Sequence, residues 1–474
     1  MSRTALIAKN TALQVLGRAV GTVLGLATFY VMTHYLGTKG YGEFTTATTF
    51  LQFFGILVDF GLSLTAVAML SEANVDRDKV ASNLFSLRTA SAAVFFALAP
   101  IVVLVFPYSA AVKAGVLVAS ASYFLIVVNQ VLVSMLQQSY RMGRAAVAEV
   151  LGRVGLLLIA LVAWHWNLGL VWMFVALIVG NLLTVLWNWM LVRTLARIRW
   201  AYDRVMWLAI VSRSWPIAMS IAFNLVYLKG DVLVLSLTRS SAEVGLYGAA
   251  YKILDVLTVV PMMFMGLVLP LLTRAWTAGD PGDFRRILQR SFDFMALVAA
   301  PLVVGTWVVG RDLMTFFAST AFTASGRLLG ILIIACGAVF FGSTFGHAII
   351  ALGRQKAAVK WYAVDAVLSF IGYILFVPKW GSAAAAWVTV FSEVFIAVST
   401  YLVVRQASQF APKLGGVVKS VLAAGLMGLV VLMMPNEWNV LIRIILGIGL
   451  YAIAALTFGA VTPAQLKELR PKKA

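Results

Sequence analysis

The chain has 474 residues, of which 62% are hydrophobic and only 12% are charged, whereas an ordinary soluble domain carries about 25% charged residues. This composition excludes a soluble globular protein. The formal net charge of +19 would indicate nucleic-acid binding if the basic residues formed a patch or stripe. They are instead divided among short polar segments, so we expect no nucleic-acid partner.

Apolar windows of about 20 residues, the length needed to cross about 30 Å of hydrocarbon, recur along the chain. They predict an all-α integral membrane protein with about 14 transmembrane helices, and about 12 is the nearest alternative. The first window has no signal-peptide cleavage site after it, so we expect it to be retained as a span. The predicted spans cover residues 13–33, 44–64, 89–106, 115–136, 147–164, 169–191, 215–237, 245–268, 292–309, 328–352, 361–377, 383–404, 418–434 and 441–458.

The 37 Lys and Arg residues concentrate in alternate connections between these spans. Short cytoplasmic loops collect such residues. The alternation predicts a multi-pass protein of the bacterial inner (plasma) membrane with both termini cytoplasmic. It places Arg88 in an inner connection and Arg311 and Arg443 in outer ones.

The spans divide into two predicted lobes. We expect residues 1–192 to form an N-terminal six-helix lobe, 193–213 a cytoplasmic interfacial linker, 214–405 a C-terminal six-helix lobe, and 406–474 a helix pair with a basic tail. The linker alternates basic with aromatic and aliphatic residues, which is typical of an interfacial segment.

A short pattern near the start of the second span returns after the linker at a constant offset. Gly42, Phe44, Ala47 and Gln52 recur as Gly245, Tyr247, Ala250 and Asp255. Repeats of this kind suggest two parallel lobes related by an axis along the membrane normal, with a site between them near the midplane.

Four basic residues lie at membrane depth, where each costs roughly 2.5 to 3.5 kcal/mol unless it faces water or a partner. They are Arg18, Arg153, Lys229 and Lys252. In the first span, Asn10, Gln14 and Arg18 follow one another at i, i+4 and share a helical face. We expect the bases to line a cavity, although a neutralised structural base is the alternative for each.

The same first span carries Gly17, Gly21 and Gly25, a spacing typical of close helix packing. Other polar residues that we expect to line the cavity are Gln52, Asn224 and Tyr251.

Embedded acids are candidates for coupling transport to protons or sodium ions. They are Asp59, Glu149, Asp231, Asp255, Asp365 and Glu393. Glu149 lies four residues before Arg153, and Asp255 three residues after Lys252, so local ion pairs are the alternative there. Asp365 and Glu393 have no such basic neighbour, and structural hydrogen bonding is their alternative role.

Catalytic and metal-binding patterns are missing from the sequence. Cys336 is single and the three histidines are far apart, so we expect no disulfide, no metal site and no cofactor. Nucleotide-binding and hydrolase motifs are likewise absent, and we expect a transporter rather than an enzyme. A membrane glycosyltransferase or ligase would require a substantial polar outer loop, whereas the longest predicted one, 310–327, contains a single acid, Asp312.

An ordered set of short motifs in the first 65 residues resembles the polysaccharide-exporter (Wzx-like) flippases of the multidrug/oligosaccharidyl-lipid/polysaccharide (MOP) superfamily. The set consists of Asn10, Gly17-Arg18, Tyr35-Leu36-Gly37, Tyr41-Gly42-Glu43-Phe44 and Asp59-Phe60-Gly61-Leu62.

This resemblance implies a MATE-like fold of two lobes around a cationic cavity. It implies transport of an undecaprenyl-diphosphate-linked oligosaccharide from the cytoplasmic to the outer leaflet, for O-antigen, capsule or exopolysaccharide assembly. Arg18, Arg153, Lys229 and Lys252 would then bind the diphosphate, and a polysaccharide polymerase and a chain-length regulator would be partners.

Two relatives of this function stay open. The extra pair of spans after the twelfth resembles the lipid II flippase branch, in which such helices form a groove for the lipid tail. A drug or cation antiporter of the same superfamily would favour acids over bases in its cavity, and four embedded bases argue against it.

Overall fold

The computed structural model describes residues 3–59, 62, 65, 69, 76–139, 142–195, 199–435 and 437–461, with the backbone alone for 3–12, 77, 138 and 216–228. Regular structure in these residues is helical. The helices are α1 Arg3–Asp59, α2 Arg77–Val102, α3 Ala110–Gln138, α4 Met142–His165, α5 Val171–Val192, α6 Arg204–Thr238, α7 Ser241–Thr277, α8 Pro281–Ala318, α9 Ser325–Ala351, α10 Gln355–Ser408, α11 Gly415–Met433 and α12 Val440–Thr457, with short 3₁₀ turns at Val103–Val105 and Thr320–Phe322.

Two of these helices are too long to cross a membrane once. Helix α1 has 57 residues and α10 has 54, so each would measure about 80 Å if it were straight. Each is broken at a glycine with left-handed backbone, at Gly37 (φ 62°) and at Gly381 (φ 64°). Glycine adopts this conformation without a steric penalty, whereas residues with a Cβ rarely do.

Contacts across the two glycines show that the chain reverses there. The Ser392 hydroxyl donates to Asp365 Oδ2 at 2.6 Å, although a straight helix would separate these residues by about 40 Å. Across the break in α1, the ring centroids of Phe29 and Tyr41 are 5.6 Å apart. Helices α1 and α10 are therefore helical hairpins.

The number of spans agrees with the prediction from apolar windows. The described residues contain 11 helices long and apolar enough to cross a membrane. Two of them are the hairpins α1 and α10, which cross twice, and α6 adds a further helix of 35 residues. The prediction of about 14 spans in an all-α membrane protein is confirmed.

Contacts between Cα atoms divide the chain into two compact units, Met1–Gly245 and Leu246–Ala474. In the first unit, α1 packs against α3, α4 and α6, and α5 packs against α3 and α4. In the second unit, α9 lies between α8 and α10, and α11 and α12 pack against α8. The predicted boundaries at 192, 213 and 405 stay predictions.

An ion pair joins the last helix to the rest of the second unit. Arg443 of α12 is only 2% exposed, and its Nη1 lies 2.6 Å from Oδ2 of Asp312 in α8. Both residues are predicted in outer connections, and both lie within helices, Asp312 near the end of α8 and Arg443 near the start of α12. Charged residues at the ends of spans end an apolar window early, although the helix continues through them.

The glycines of the repeated pattern form a close crossing within Met1–Gly245. A Cβ added at Gly42 would lie 1.6 Å from the carbonyl oxygen of Ser241, and one added at Gly245 would lie 2.0 Å from that of Thr38. Thr38 and Ser241 are themselves related by the offset of the repeat. The contact is thus reciprocal, as expected for repeats related by a two-fold axis.

We expect Gly42→Ala to lower the melting temperature of the purified protein, because the new methyl group has no space beside the Ser241 carbonyl. Overpacking of this kind costs about 1–3 kcal/mol. Gly55→Ala, in the same arm of α1, is the matched control, since nothing lies within 4 Å of an added Cβ there. Equal melting temperatures for the two variants in detergent would contradict the close crossing.

Candidate functional site

The glycines of the first span make room for helix α4. A Cβ at Gly17 would lie 2.8 Å from Cβ of Ala146, and one at Gly21 would lie 3.1 Å from Nε of Arg153. A Cβ at Gly25 would lie 2.9 Å from Nη1 of the same arginine. These residues therefore provide the close helix packing that their spacing indicates, and two of the three contact an arginine side chain.

Arg153 is held in place from two directions. Its Nη1 donates to the backbone carbonyl of Gly21 at 3.0 Å, while Nη2 and Nε donate to Oε1 of Glu149 at 2.7 and 3.2 Å. The side chains of Arg153 and Glu149 are nevertheless 39% and 47% exposed. Because a guanidinium has five N–H donors, two remain for a ligand while three fix its orientation.

Arg18 lies next to this crossing. It follows Gly17 directly and precedes Gly21 by less than one helical turn. Its side chain is exposed and forms no hydrogen bond or ion pair within the part of the chain that the structure describes. Gln14, one turn earlier, is half-buried, and the side chain of Asn10 lies outside the described residues. Helices α1 and α4 thus place two arginines near one crossing, the first unpaired and the second pre-oriented.

A third arginine forms a buried polar network. The side chain of Arg88 in α2 is fully buried. Its Nη2 donates to Oδ1 of Asp59 in α1 at 2.5 Å and to Oε1 of Gln130 in α3 at 2.6 Å. The predicted position of Arg88 in an inner connection is therefore wrong. Asp59, a predicted ion-coupling residue, is the ion-pair partner of this arginine.

The sequence contained a signal that would have located Arg88. Asp76 accepts a hydrogen bond from the backbone N–H of Lys79 at 3.1 Å and caps helix α2, which begins at Arg77. An Asp followed closely by an apolar-periodic run is a typical helix start. With this start, Arg88 falls three turns inside the helix, where an unpaired charge would be costly.

The predicted residues of α6 and α1 in the first unit are partly described. Lys229 is half-buried. Asp231 is fully buried, and its Oδ1 accepts a hydrogen bond from the Val232 backbone N–H at 2.7 Å. Gln52 in the second arm of α1 is half-buried. The side chain of Asn224 lies outside the described residues.

The predicted residues of α7 belong to the second unit. Lys252 is half-buried and Asp255 is exposed, whereas Tyr251 is buried, with its ring centroid 5.8 Å from that of Tyr247. The hydroxyl of Tyr247 lies 3.3 Å from Oγ1 of Thr389 in α10. Helix α7 therefore contributes aromatic hydroxyls to the interior of this unit.

Two embedded carboxylates lie in the hairpin α10. Asp365 of the first arm is fully buried and accepts hydrogen bonds from the hydroxyls of Ser392, at 2.6 Å, and Ser369, at 3.3 Å. Glu393 of the second arm follows Ser392 and is half-buried. The predicted alternative for Asp365, structural hydrogen bonding, is thus present in the geometry. In the described part of the chain, both hydrogen bonds to Asp365 come from hydroxyl groups.

An apolar groove of about 510 Å³ opens on the surface of the second unit. It lies between α8, α9 and α11 and is lined by Val304, Trp307, Ile334, Gly428 and Leu432. Trp307 is 71% exposed and Leu432 is 60% exposed. A groove with such walls accepts an alkyl chain more readily than a polar ligand.

The predicted site residues thus divide between the two units. The first contains Arg18, Arg153, Lys229, Gln14, Gln52, Asp59, Glu149 and Asp231, and the second contains Lys252, Tyr251, Asp255, Asp365 and Glu393. Arg153 and Glu149 are in direct contact. Their role, and a cavity shared by both units, stay predictions from the sequence.

The structure is similar to solved transporters. The lipid II flippase MurJ in its inward closed conformation superposes with a TM-score of 0.79 at 15% identity, over 94% of this chain and 98% of that chain. An inward-facing multidrug resistance MATE family transporter of the MOP superfamily gives 0.69 at 15% identity, over 82% and 94%. A MOP superfamily transporter from Pyrococcus furiosus, described as having a binding pocket of reversed polarity, gives 0.57 at 15%, over 85% and 95%.

The fold is therefore that of the multi-pass transporters and flippases of the MOP superfamily. The model of the polysaccharide biosynthesis protein family matches residues 7–276, and that of the MatE family matches 216–375. Because the first match spans more than half of the sequence, the chain belongs to the polysaccharide biosynthesis protein family. No curated protein matched the sequence. The predicted family resemblance is confirmed.

We expect Arg88→Met to destabilise the protein strongly, because the substitution leaves the Asp59 carboxylate without its arginine. Removing one partner of a buried ion pair costs about 3–5 kcal/mol. The melting temperature should fall, and it should partly recover in Arg88→Met with Asp59→Asn, which removes both charges.

Arg286→Met is the matched control for this measurement. Arg286 pairs with Asp283 at the same distance, 2.5 Å, but its side chain is 67% exposed, and exposed pairs contribute only about 0–1 kcal/mol. If both single variants melted alike, the Arg88 network would not be a stability determinant.

Proposed function

We propose that this protein is a flippase that moves an undecaprenyl-diphosphate-linked oligosaccharide from the cytoplasmic to the outer leaflet of the bacterial inner membrane. The movement proceeds by alternating access and serves surface polysaccharide assembly, as O-antigen, capsule or exopolysaccharide. The observation that carries the proposal is Arg153, fixed by Glu149 and the Gly21 carbonyl yet partly exposed, near Arg18, which has no ion-pair partner among the described residues.

Arginine suits the chemistry of this substrate. A diphosphate cannot enter hydrocarbon without compensation of its charge, and a guanidinium binds phosphate oxygens through paired N–H donors. Glu149 balances the charge of Arg153 before substrate arrives and orients it, so less side-chain entropy is lost on binding. Arg18 contributes a second cation, and Lys229 and Lys252 are the remaining proposed contacts.

The apolar groove supports a substrate with a lipid tail. The walls at Trp307 and Leu432 match a polyprenyl chain, which gains about 25 cal/mol for each Å² that it removes from water. A polar sugar moves through the protein while the tail stays in an apolar environment. Such a substrate has both a diphosphate for the arginines and a tail for the groove.

Lipid II shares the diphosphate and the polyprenyl tail, and the structural similarity to MurJ favours it as the second candidate. The two substrates differ in the attached sugar and peptide, so a test must score both products. A cationic drug is disfavoured, because Arg18 and Arg153 repel positive charge.

The coupling ion is proposed to act in the second unit. Asp365 and Glu393 lie in opposite arms of the α10 hairpin. Among the described residues, Asp365 accepts hydrogen bonds from hydroxyl groups and forms no ion pair with a basic side chain. Binding of a proton or sodium ion there would favour one conformation through differential affinity. Asp59, Asp231, Asp255 and Glu149 are further proposed coupling residues.

The proposed function includes a membrane topology and protein partners. Both termini lie in the cytoplasm, as the charge distribution indicates. A polysaccharide polymerase and a chain-length regulator would receive the flipped oligosaccharide on the outer side.

We expect a host that lacks this gene to recover surface polysaccharide with the intact protein but poorly with Arg153→Gln or Arg18→Gln. Loss of one charge-assisted contact costs about 1.5–3 kcal/mol, which corresponds to roughly 10- to 100-fold weaker apparent affinity. The lipid-linked oligosaccharide should accumulate on the cytoplasmic leaflet. Labelled surface glycan and extracted lipid intermediates provide the measurement.

Arg311→Gln is the control, since this arginine is exposed at the end of α8 and outside the proposed site. Normal surface glycan in the host without the gene would refute the oligosaccharide proposal. Accumulation of lipid II in place of the oligosaccharide would move the assignment to the second candidate.

We expect Asp365→Asn to abolish the dependence of transport on an imposed proton or sodium gradient in proteoliposomes, because an amide neither titrates nor carries the charge that attracts a cation. Residual flipping at a low, gradient-independent rate should persist. Asp283→Asn, at a half-buried acid that pairs with Arg286 in α8, is the control. Unchanged gradient dependence in Asp365→Asn would exclude this residue as the coupling site.

A further inference from the structure

The segment that connects α5 to α6 is fastened to α2 by its backbone. Residues 199–203, here called the strap, have no regular secondary structure, and alternate backbone N–H groups donate to buried side chains of α2. The backbone N–H of Arg199 donates to Ser82 Oγ at 3.1 Å, that of Ala201 to Ser86 Oγ at 2.8 Å, and that of Asp203 to Asn83 Oδ1 at 2.8 Å.

Asp203 anchors the end of the strap. Its Oδ2 lies 2.8 Å from Nζ of Lys79, and its Oδ1 accepts the backbone N–H groups of Val205 and Met206 at 3.0 and 3.2 Å, which caps helix α6. The hydrogen bond from Lys79 holds the pKa of Asp203 below its usual range. The strap therefore connects α2 and the start of α6 in one fixed geometry.

The strap exposes two aromatic side chains. Trp200 and Tyr202 alternate with the residues bound to α2 and are 65% and 67% exposed. Along the first turns of α6, Val205 is 79% exposed and Leu208 is 61% exposed. The strap and the first turns of α6 thus expose a run of aromatic and apolar side chains, here called the strap face.

Basic residues flank this face. Arg199 and Arg204 are exposed, and neither forms an ion pair in the residues that the structure describes. The sequence from 193 to 213 contains five arginines and a single acid, Asp203, whose charge is already balanced by Lys79. Arg199 and Arg204 therefore present positive charge beside the strap.

We propose that this face, comprising Arg199, Trp200, Tyr202 and Arg204, binds the phosphate headgroup of an anionic phospholipid. Aromatic rings with a polar edge favour the membrane–water interface, and basic groups there attract anionic lipids. The strap holds these groups before the lipid arrives, which lowers the entropic cost of binding. Because the strap ends at the cap of α6, bound lipid stabilises the start of that helix. The lipid is a bound partner and is distinct from the transported substrate.

The test compares Arg199→Gln/Arg204→Gln with the matched pair Arg311→Gln/Arg327→Gln, which removes two exposed arginines elsewhere. Each protein is incorporated into nanodiscs of phosphatidylcholine with increasing phosphatidylglycerol, and retained lipid is counted by native mass spectrometry. Each arginine near an anionic surface contributes about 5-fold in affinity. We therefore expect retention of phosphatidylglycerol to weaken by roughly 25-fold in the strap variant only.

Brominated phosphatidylglycerol gives a second readout. It should quench tryptophan fluorescence less in Trp200→Phe than in the intact protein, with a smaller difference for brominated phosphatidylcholine. We expect the variants to fold, because the strap is held by backbone N–H groups that the substitutions retain. Their melting temperatures check this.

Three results would overturn the proposal. They are equal retention of phosphatidylglycerol by both double variants, retention that does not distinguish phosphatidylglycerol from phosphatidylcholine, and displacement of the lipid by soluble pyrophosphate, which would assign the face to the substrate diphosphate. None of these results depends on transport activity, so failure here is distinguishable from failure of the proposed flippase function.

Discussion

Hydrocarbon provides no partner for a charged side chain, so each ionised group in the spanning helices must meet an opposite charge, a carbonyl or water. Three arginines satisfy this requirement differently. Arg88 is enclosed by the Asp59 carboxylate and the Gln130 amide. Arg443 is buried against Asp312 and fastens the last helix. Arg153 forms an ion pair with Glu149 but stays partly exposed and has N–H donors left over. Enclosure therefore marks the structural arginines, and partial exposure marks the one suited to a ligand.

The two units contain the charged side chains of the proposed function in different settings. The first unit carries Arg18 and Arg153 on neighbouring helices, whereas the second carries Asp365 and Glu393 in one hairpin. In the proposed function, Arg18 and Arg153 are the main contacts of the diphosphate and Asp365 is the main site of the coupling ion. Each ligand can bias the conformational equilibrium only through its own differential contacts.

Much of the fold could be predicted because apolar windows of spanning length report burial in lipid directly. The hairpins at Gly37 and Gly381 were visible as paired windows. Arg88 was misplaced because its charge ended a window, and because its partner Asp59 lies 29 residues away, beyond any helical spacing. The Arg153–Glu149 pair was predictable from i, i+4 spacing. Its anchoring by the Gly21 carbonyl was not, since backbone acceptors on another helix leave no trace in sequence.

The crossing at Gly42 and Gly245 joins equivalent positions, as two identical molecules would across a two-fold axis. Two separate chains making this contact would come apart on dilution, whereas here both sides belong to one polypeptide, so the contact does not depend on protein concentration. Covalent linkage also releases the two sides from having to be identical. Gln52 and Asp255 occupy matching places in the repeat with different chemistry. A single chain can thereby carry different side chains at equivalent positions of the repeat.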